Sequence, residues 1–162
     1  MSLVKLLADT MMFSYGQFLV FDSAEKLPGS QWTNEHVAQG FARRDTTVSV
    51  GALLEFGAAE LGVWKGLIGS LEEYERVISI SLNCSSGILC FEGPEEAPVC
   101  RNVSVHPGIY GVAVAQRVVD ERTEVVDIFL REIESLIPSK ILKADTTLGA
   151  KHVLMETAET AS

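Results

Sequence analysis

The sequence predicts a mainly β protein, an antiparallel two-layer β-sandwich with one short N-terminal helix, and three observations carry that prediction. Apolar residues recur with a period of two over short runs, most cleanly where Ile78, Ile80, Leu82 and Cys84 alternate with Val77, Ser79, Ser81 and Asn83. Turn chemistry separates the runs, at Pro28-Gly29, Ser85-Ser86-Gly87 and His106-Pro107-Gly108. A single stretch, before residue 40, combines a helix cap with a helix stop. With 162 residues, 47% of them hydrophobic and 22% charged, the chain is long enough for one real core and too short for two comfortable ones. We therefore expect a single sandwich domain over residues 1–137, followed by a C-terminal extension over 138–162 with no clear element of its own.

The elements follow in order. Leu3, Leu6 and Leu7 have helical spacing, so residues 3–10 read as a short helical or irregular lead-in. Residues 13–21 change to a period of two, with Phe13, Tyr15, Gln17, Leu19 and Phe21 on one face of an aromatic strand. A loop follows. Thr33 is placed to cap a helix over residues 34–39, Glu35 favours its dipole, Gly40 supplies a left-handed stop, and Trp32 can staple onto Val37. Thr46 to Ala52 is a second strand, after Arg43, Arg44 and Asp45. Leu61, Val63 and Trp64 favour a strand ending at Lys65-Gly66, although ALLEFGAAEL also reads as a short amphipathic helix.

The strand ending at Cys84 is expected to turn back through Ser85-Ser86-Gly87 as a hairpin into Ile88 to Phe91. EGPEEAP, residues 92–98, is an acidic loop, because its prolines and glycine oppose regular pairing. Strand character resumes at Val99. Tyr110, Val112, Val114 and Val118 form one face of a long strand with Gly111, Ala113 and Ala115 opposite, and an Asp120-Glu121-Arg122 turn leads to a partner strand with Val126, Ile128 and Leu130 inward. After Pro138 the pattern decays, and METAETAS has the composition of a frayed tail.

Charge and composition exclude several function classes. The net charge is −9, divided between −1 over residues 1–45 (four basic, five acidic) and −8 over the remainder (nine basic, seventeen acidic). Direct nucleic-acid binding requires the opposite field. No run is apolar enough for a membrane helix, and no signal peptide is read at the N-terminus. Cys84, Cys90 and Cys100 contain no CxxC pair and read as buried free thiols, which points to a reducing, cytoplasmic setting.

Catalytic motifs are scarce. Phosphate-cradling and dinucleotide loops, GxSxG and HExxH are all missing from the sequence, and His36, His106 and His152 share no ligand spacing. No metal or cofactor is expected, and no catalytic residue is assigned. A Cys100–His106 nucleophile pair, or an acid/base pair among Glu72, Glu73 and Glu75, would have to be assembled by the fold, whereas a core thiol and a solvated strand entrance explain these residues more simply. Two acidic clusters remain: Glu92, Glu95 and Glu96 in one inter-strand loop, and Asp120, Glu121 and Glu124 around another. Should the two loops share one end of the sandwich, they would present a negative surface to a basic partner.

The opening stretch carries a pattern beyond its local structure. Ser14, Tyr15, Gln17, Phe18, Val20 and Phe21, then Trp32, Thr33 and Glu35, then Gly40, Ala42, Asp45 and Ser49, form S-Y-x-Q-F-x-V-F, W-T-x-E and G-x-A-x-x-D before a Ser-containing strand. This pattern resembles the competence protein J family. The resemblance covers residues 12–50 specifically, is vague to about 133 and absent beyond. It implies a small non-enzymatic protein that binds a DNA-entry nuclease and blocks it, and it assigns inhibitory contacts to no particular residue. The resulting expectation is an acidic binding protein that inhibits a nuclease, or acts on another basic protein, by occluding its active site through Glu92, Glu95, Glu96, Asp120, Glu121 and Glu124. The alternative is a β-sandwich assembly module sharing only the fold, which would form homo-oligomers through an exposed apolar sheet face.

Overall fold

The structure, a computed structural model, describes residues 3–13, 16–93, 101–148 and 154–161. Among these the chain forms β1 (Val4–Phe13), β2 (Gln17–Asp22), α1 (Asn34–Gln39), β3 (Phe41–Arg44), β4 (Thr47–Gly51), β5 (Gly57–Lys65), β6 (Arg76–Cys84), β7 (Ile88–Glu92), β8 (Arg101–Ser104), β9 (Gly108–Asp120), β10 (Thr123–Ile133) and β11 (Lys140–Lys143). A six-stranded sheet, in the order β1-β5-β10-β9-β6-β11, faces a five-stranded sheet in the order β3-β4-β2-β7-β8. All pairings are antiparallel except β5 with β10, which runs parallel from Ala58 opposite Thr123 to Lys65 opposite Leu130.

The core lies between the sheets and is made by the predicted alternation. Ile78, Ile80, Leu82 and Cys84 of β6, Tyr110, Val112 and Val114 of β9, and Val126, Ile128 and Leu130 of β10 meet Phe18, Val20, Phe41, Val48, Val50, Leu89 and Phe91 of the opposite sheet. Fully burying each of these large side chains contributes roughly 1.5–3 kcal/mol relative to leaving it exposed. A second cluster, on the outer face of the larger sheet, packs Tyr74, Val77, Ala115 and Phe129 beneath Ile68 and Leu71. There Tyr74 Oη donates to Asp127 Oδ2 at 2.7 Å and Trp64 Nε1 approaches Oδ1 at 3.5 Å. Tyr74, bracketed by glutamates in the sequence, is thus a buried structural residue.

Three departures from the sequence reading have local causes. Residues 4–13 are a strand, not a helical or irregular lead-in, because pairing with β5 supplies the backbone partners that a short isolated helix lacks. The expected aromatic strand is divided: β1 ends at Phe13 in the larger sheet, Gly16 turns with a φ of 65°, and β2 begins at Gln17 in the smaller one. On β2 the core-facing residues are consequently Phe18 and Val20, while Leu19 and Phe21 join Cys90 in a small outer cluster. The tight turn at Ser85-Ser86-Gly87 exists, but it carries the chain from β6 in one sheet to β7 in the other, so it closes no hairpin.

The segment beyond Pro138 docks closely on the domain. β11 pairs with β6, and Leu154 packs against the core. Asp145 takes two 3.1 Å hydrogen bonds from the Arg76 guanidinium, which is buried and also donates to the Gly51 carbonyl. Burial works against the Asp145 anion, yet these bonds, that from Thr147, and the guanidinium charge hold its carboxyl below the usual value. Residues 155–161 then run along the opening stretch, and the side chains that receive them are those of α1 and β3.

Candidate functional site

The predicted helix forms where its caps place it. Thr33 caps α1, and Gly40 ends it with a φ of 87°. In place of the usual Glu or Gln, His36 closes the capping box: its Nδ1 accepts from the Thr33 N–H at 2.9 Å. Because Nδ1 accepts there, the ring proton sits on Nε2, which donates to the Thr157 carbonyl at 2.8 Å. Gln39, fully buried, takes the Met155 N–H on its amide oxygen and donates to the Met155 carbonyl. Arg43 donates to the carbonyls of Ser81 and Glu156, tying both sheets and the C-terminal segment together. Trp32 donates to Ser49 Oγ at 3.1 Å, and Ser49 in turn donates to Gln17 Oε1 at 2.6 Å, linking three residues of the opening pattern. Val37 is exposed, and Trp32 stands edge-on to His36.

The acidic residues lie elsewhere. Asp120 and Glu121 are exposed in the β9–β10 turn, where Asp120 Oδ1 accepts the Arg122 N–H at 2.9 Å. The Arg122 carbonyl in turn accepts the Ala58 N–H at 2.9 Å, at the start of β5. Across β5, Gly57 and Ala58 pair with Phe13 and Met12 of β1. Gly93, directly after Glu92 at the end of β7, lies so close to the Met12 carbonyl that no β-carbon would fit there. Glu92 and the Asp120–Glu121 turn therefore occupy the same end of the sandwich, joined through the last residues of β1. Glu95 and Glu96 fall outside the described residues, as do Cys100 and His152.

Glu124 is differently placed. It is fully buried, its Oε2 accepts the Leu53 N–H at 2.8 Å, and Oε1 has no partner among the described residues. Burial pushes its carboxyl up to about 7, against the opposing effects of the Leu53 hydrogen bond and the Arg76 charge. It stays off the outward rim because it alternates in line with the inward Val126, Ile128 and Leu130 of β10, while the register shift beside it leaves the extra residue, Val119, on β9. Its carboxylate fixes the loop that follows β4 and presents nothing to a partner.

Residues absent from the sequence-based set complete this end. Met12 and Phe56 are 54% and 56% exposed and line a shallow groove of about 530 Å³ with Gly57, Ala58, Arg122 and Thr123. Glu55, beside Phe56, is exposed as well. Alternation identifies Met12 in retrospect, since Met11 and Phe13 are both in the core. Phe56 had no such signal, because its segment follows neither period.

Among the described residues, no convergent catalytic set accompanies this surface. His36 serves the helix cap and His106 pairs with Glu132 at 3.2 Å in an exposed turn. Cys84 and Cys90 are buried, and burial pushes the Cys84 thiol up. Among the described residues, no group of three or more His, Cys, Asp or Glu is arranged to hold a metal ion. No helix among the described residues is long and apolar enough to cross a membrane.

The molecule is thus a two-sheet β-sandwich, one end of which carries Glu92, Asp120 and Glu121 near the exposed Met12 and Phe56. Its sequence and fold agree on where it belongs. The chain is a member of the Competence protein J (ComJ) family, whose model matches residues 10–135. Among solved structures it is similar to ComJ from Bacillus subtilis, an inhibitor of the DNA-degrading activity of NucA, with a TM-score of 0.64, 17% identity, and coverage of 80% of this chain and 98% of that one. It is also similar to the crocagin biosynthetic gene J product, with a TM-score of 0.54, 13% identity and the same coverage. No curated protein matches it. The family match stops short of the C-terminal segment that docks on α1 and β3.

Proposed function

We propose that this chain is a non-enzymatic inhibitor of a nuclease, acting in the cytoplasm by placing its acidic end over a cationic active-site cleft. Family membership supports the inhibitor role, together with the activity against NucA described for the Bacillus subtilis protein. The observation that supports the mode of binding is the convergence of Glu92 with Asp120 and Glu121 at one end of the sandwich. Glu95 and Glu96, three and four residues beyond Glu92, extend the same acidic segment. Such a surface attracts a cleft that handles phosphodiesters and fixes the register of docking, with most of the effect on the association rate.

The test is inhibition of DNA degradation by the NucA-like nuclease of the same organism, titrated with wild type and with a variant carrying Glu92→Gln, Glu95→Gln, Glu96→Gln, Asp120→Asn and Glu121→Gln. Stoichiometric inhibition by the wild type is expected. The variant should associate roughly tenfold or more slowly at low salt, and its dependence on ionic strength should be shallower. Equal inhibition by both proteins at every salt concentration would remove the acidic surface from the mechanism.

A second reading, self-assembly, draws on the outer face of the larger sheet, where Leu67, Ile137 and Leu142 are exposed around a groove floored by Gly111 and Ala113. It predicts a salt-insensitive homo-oligomer by analytical ultracentrifugation.

A further inference from the structure

We propose that Met12 and Phe56 are the apolar anchor of the partner interface, inserting into a recess framed by basic residues on a cationic protein. This inference rests on the inhibitor reading above and adds to it the residues that hold the complex together once charge has brought the partners into contact.

Single exposed apolar side chains are ordinary. These two share one groove, and the backbone beneath them is held from several directions. Met12 belongs to a paired strand, opposite Ala58. Phe56 ends a loop tied at both sides, by the Leu53 N–H on buried Glu124 at 2.8 Å and by the Gly16 N–H on the Glu55 carbonyl at 2.7 Å. Gly57, next to Phe56, has a φ of 150° and lies against the Arg122 carbonyl where a β-carbon would collide, so the loop turns there in a way that only glycine permits. A side chain presented on a fixed backbone loses less freedom on binding than one on a loose loop.

The surroundings specify the partner. Glu55, Glu92, Asp120 and Glu121 stand around this end; Arg122 lines the groove and Arg101, which donates to the Thr10 carbonyl and pairs with Asp9, lies near it, so among the described residues the acidic groups outnumber the basic ones. A phenyl ring and a thioether beside acidic groups match the composition of interfaces, where aromatic residues and Met are enriched at the core and the rim is polar. The complementary surface is cationic at its edge and apolar within. Nucleic acid fits neither feature.

The experiment compares Phe56→Ala, Met12→Ala and the double variant with Glu55→Gln/Asp120→Asn/Glu121→Gln, using the NucA-like nuclease of the same organism in inhibition and binding-rate measurements at low and high salt. The apolar variants are expected to dissociate tenfold or more faster, with the salt dependence of association unchanged, whereas the charge variant should associate more slowly. On the wild-type protein, peroxide oxidation of Met12 should slow at least tenfold in the complex, with fully buried Met11 as the internal reference. This measurement does not depend on any variant folding. If the apolar variants inhibit as well as wild type, or Met12 oxidises equally fast in the complex, the anchor is overturned and the inhibitor reading stands. If the wild type neither binds nor inhibits the nuclease, both fall together.

Discussion

Glu124 shows how far a single residue can couple this fold to pH. Its carboxyl is raised from 4.5 to about 7 by burial, so the folded state binds the proton more tightly than the unfolded chain does. Below pH ~4.5 the group is protonated in both states, and the penalty on a buried anion is absent. As pH rises beyond that value the unfolded chain ionises first, and stability falls until pH passes about 7, where the whole penalty, on the order of 3 kcal/mol, is present. Glu124→Gln should flatten that window and leave the protein more stable than wild type at pH 8, by denaturant unfolding measured between pH 4.5 and 8. Parallel profiles for the two proteins would show that the carboxyl titrates normally. Its placement was legible in part: alternation with Val126, Ile128 and Leu130 marks it as inward, while its charge and its proximity to a turn argue for the rim. Alternation decides the matter, because β10 runs without interruption from Thr123 and carries Glu124 on its inward face. Met12 was likewise legible from its two buried neighbours, whereas Phe56 depends on a loop whose anchors, Glu124 and Gly16, are distant in sequence.

At the scale of elements, α1 and its caps were readable because every determinant is local: Thr33, Glu35 and Gly40 lie within eight residues. The division of β1 from β2 and the crossing of Ser85-Ser86-Gly87 between sheets were not. Local pattern fixes which residues alternate but does not say which sheet a strand joins. The C-terminal segment was the least legible, because side chains elsewhere satisfy much of its backbone. Gln39, His36 and Arg43 bind Met155, Thr157 and Glu156, and Glu156 receives Ser139 through its carboxylate. A composition typical of loose tails therefore gives an ordered strap. Removing residues 154–162 should break the bonds that these three buried polar side chains make to the strap, while Arg43 keeps Ser81, Gln39 keeps the Phe41 carbonyl and His36 keeps Thr33, at about 1 kcal/mol for each broken bond. Thermal unfolding should fall by several degrees, and hydrogen exchange should rise over residues 31–44 while β6, β9 and β10 remain protected. An unchanged melting temperature would mean that water replaces the strap without cost.

Over the whole molecule charge is unevenly placed. The opening stretch is nearly neutral and holds the helix, the strap and one sheet edge together, while the acidic end gathers residues from four separate strands and turns. The fold class and the inward faces were legible because alternation over eleven strands leaves few other ways to bury so much apolar surface. The acidic residues were legible only as two loops; that Glu92 and the Asp120–Glu121 turn lie at one end depends on β1 pairing with β5 and on Gly93 passing against Met12. The parallel seam between β5 and β10 has a further consequence, in time rather than in space. It joins residues such as 58 and 123, 65 positions apart, and a ribosome must have delivered the whole β9–β10 hairpin before β5 can find its second neighbour. Until then β5 carries an open edge, with Leu61 and Val63 awaiting a core. Pairings of such separation place refolding on the order of milliseconds to seconds, slow for a chain of this size, and stopped-flow fluorescence from Trp64 on β5 should follow the seam as it closes. A microsecond phase with full amplitude would contradict this. The interval before closure is when the newly made chain is most open to aggregation.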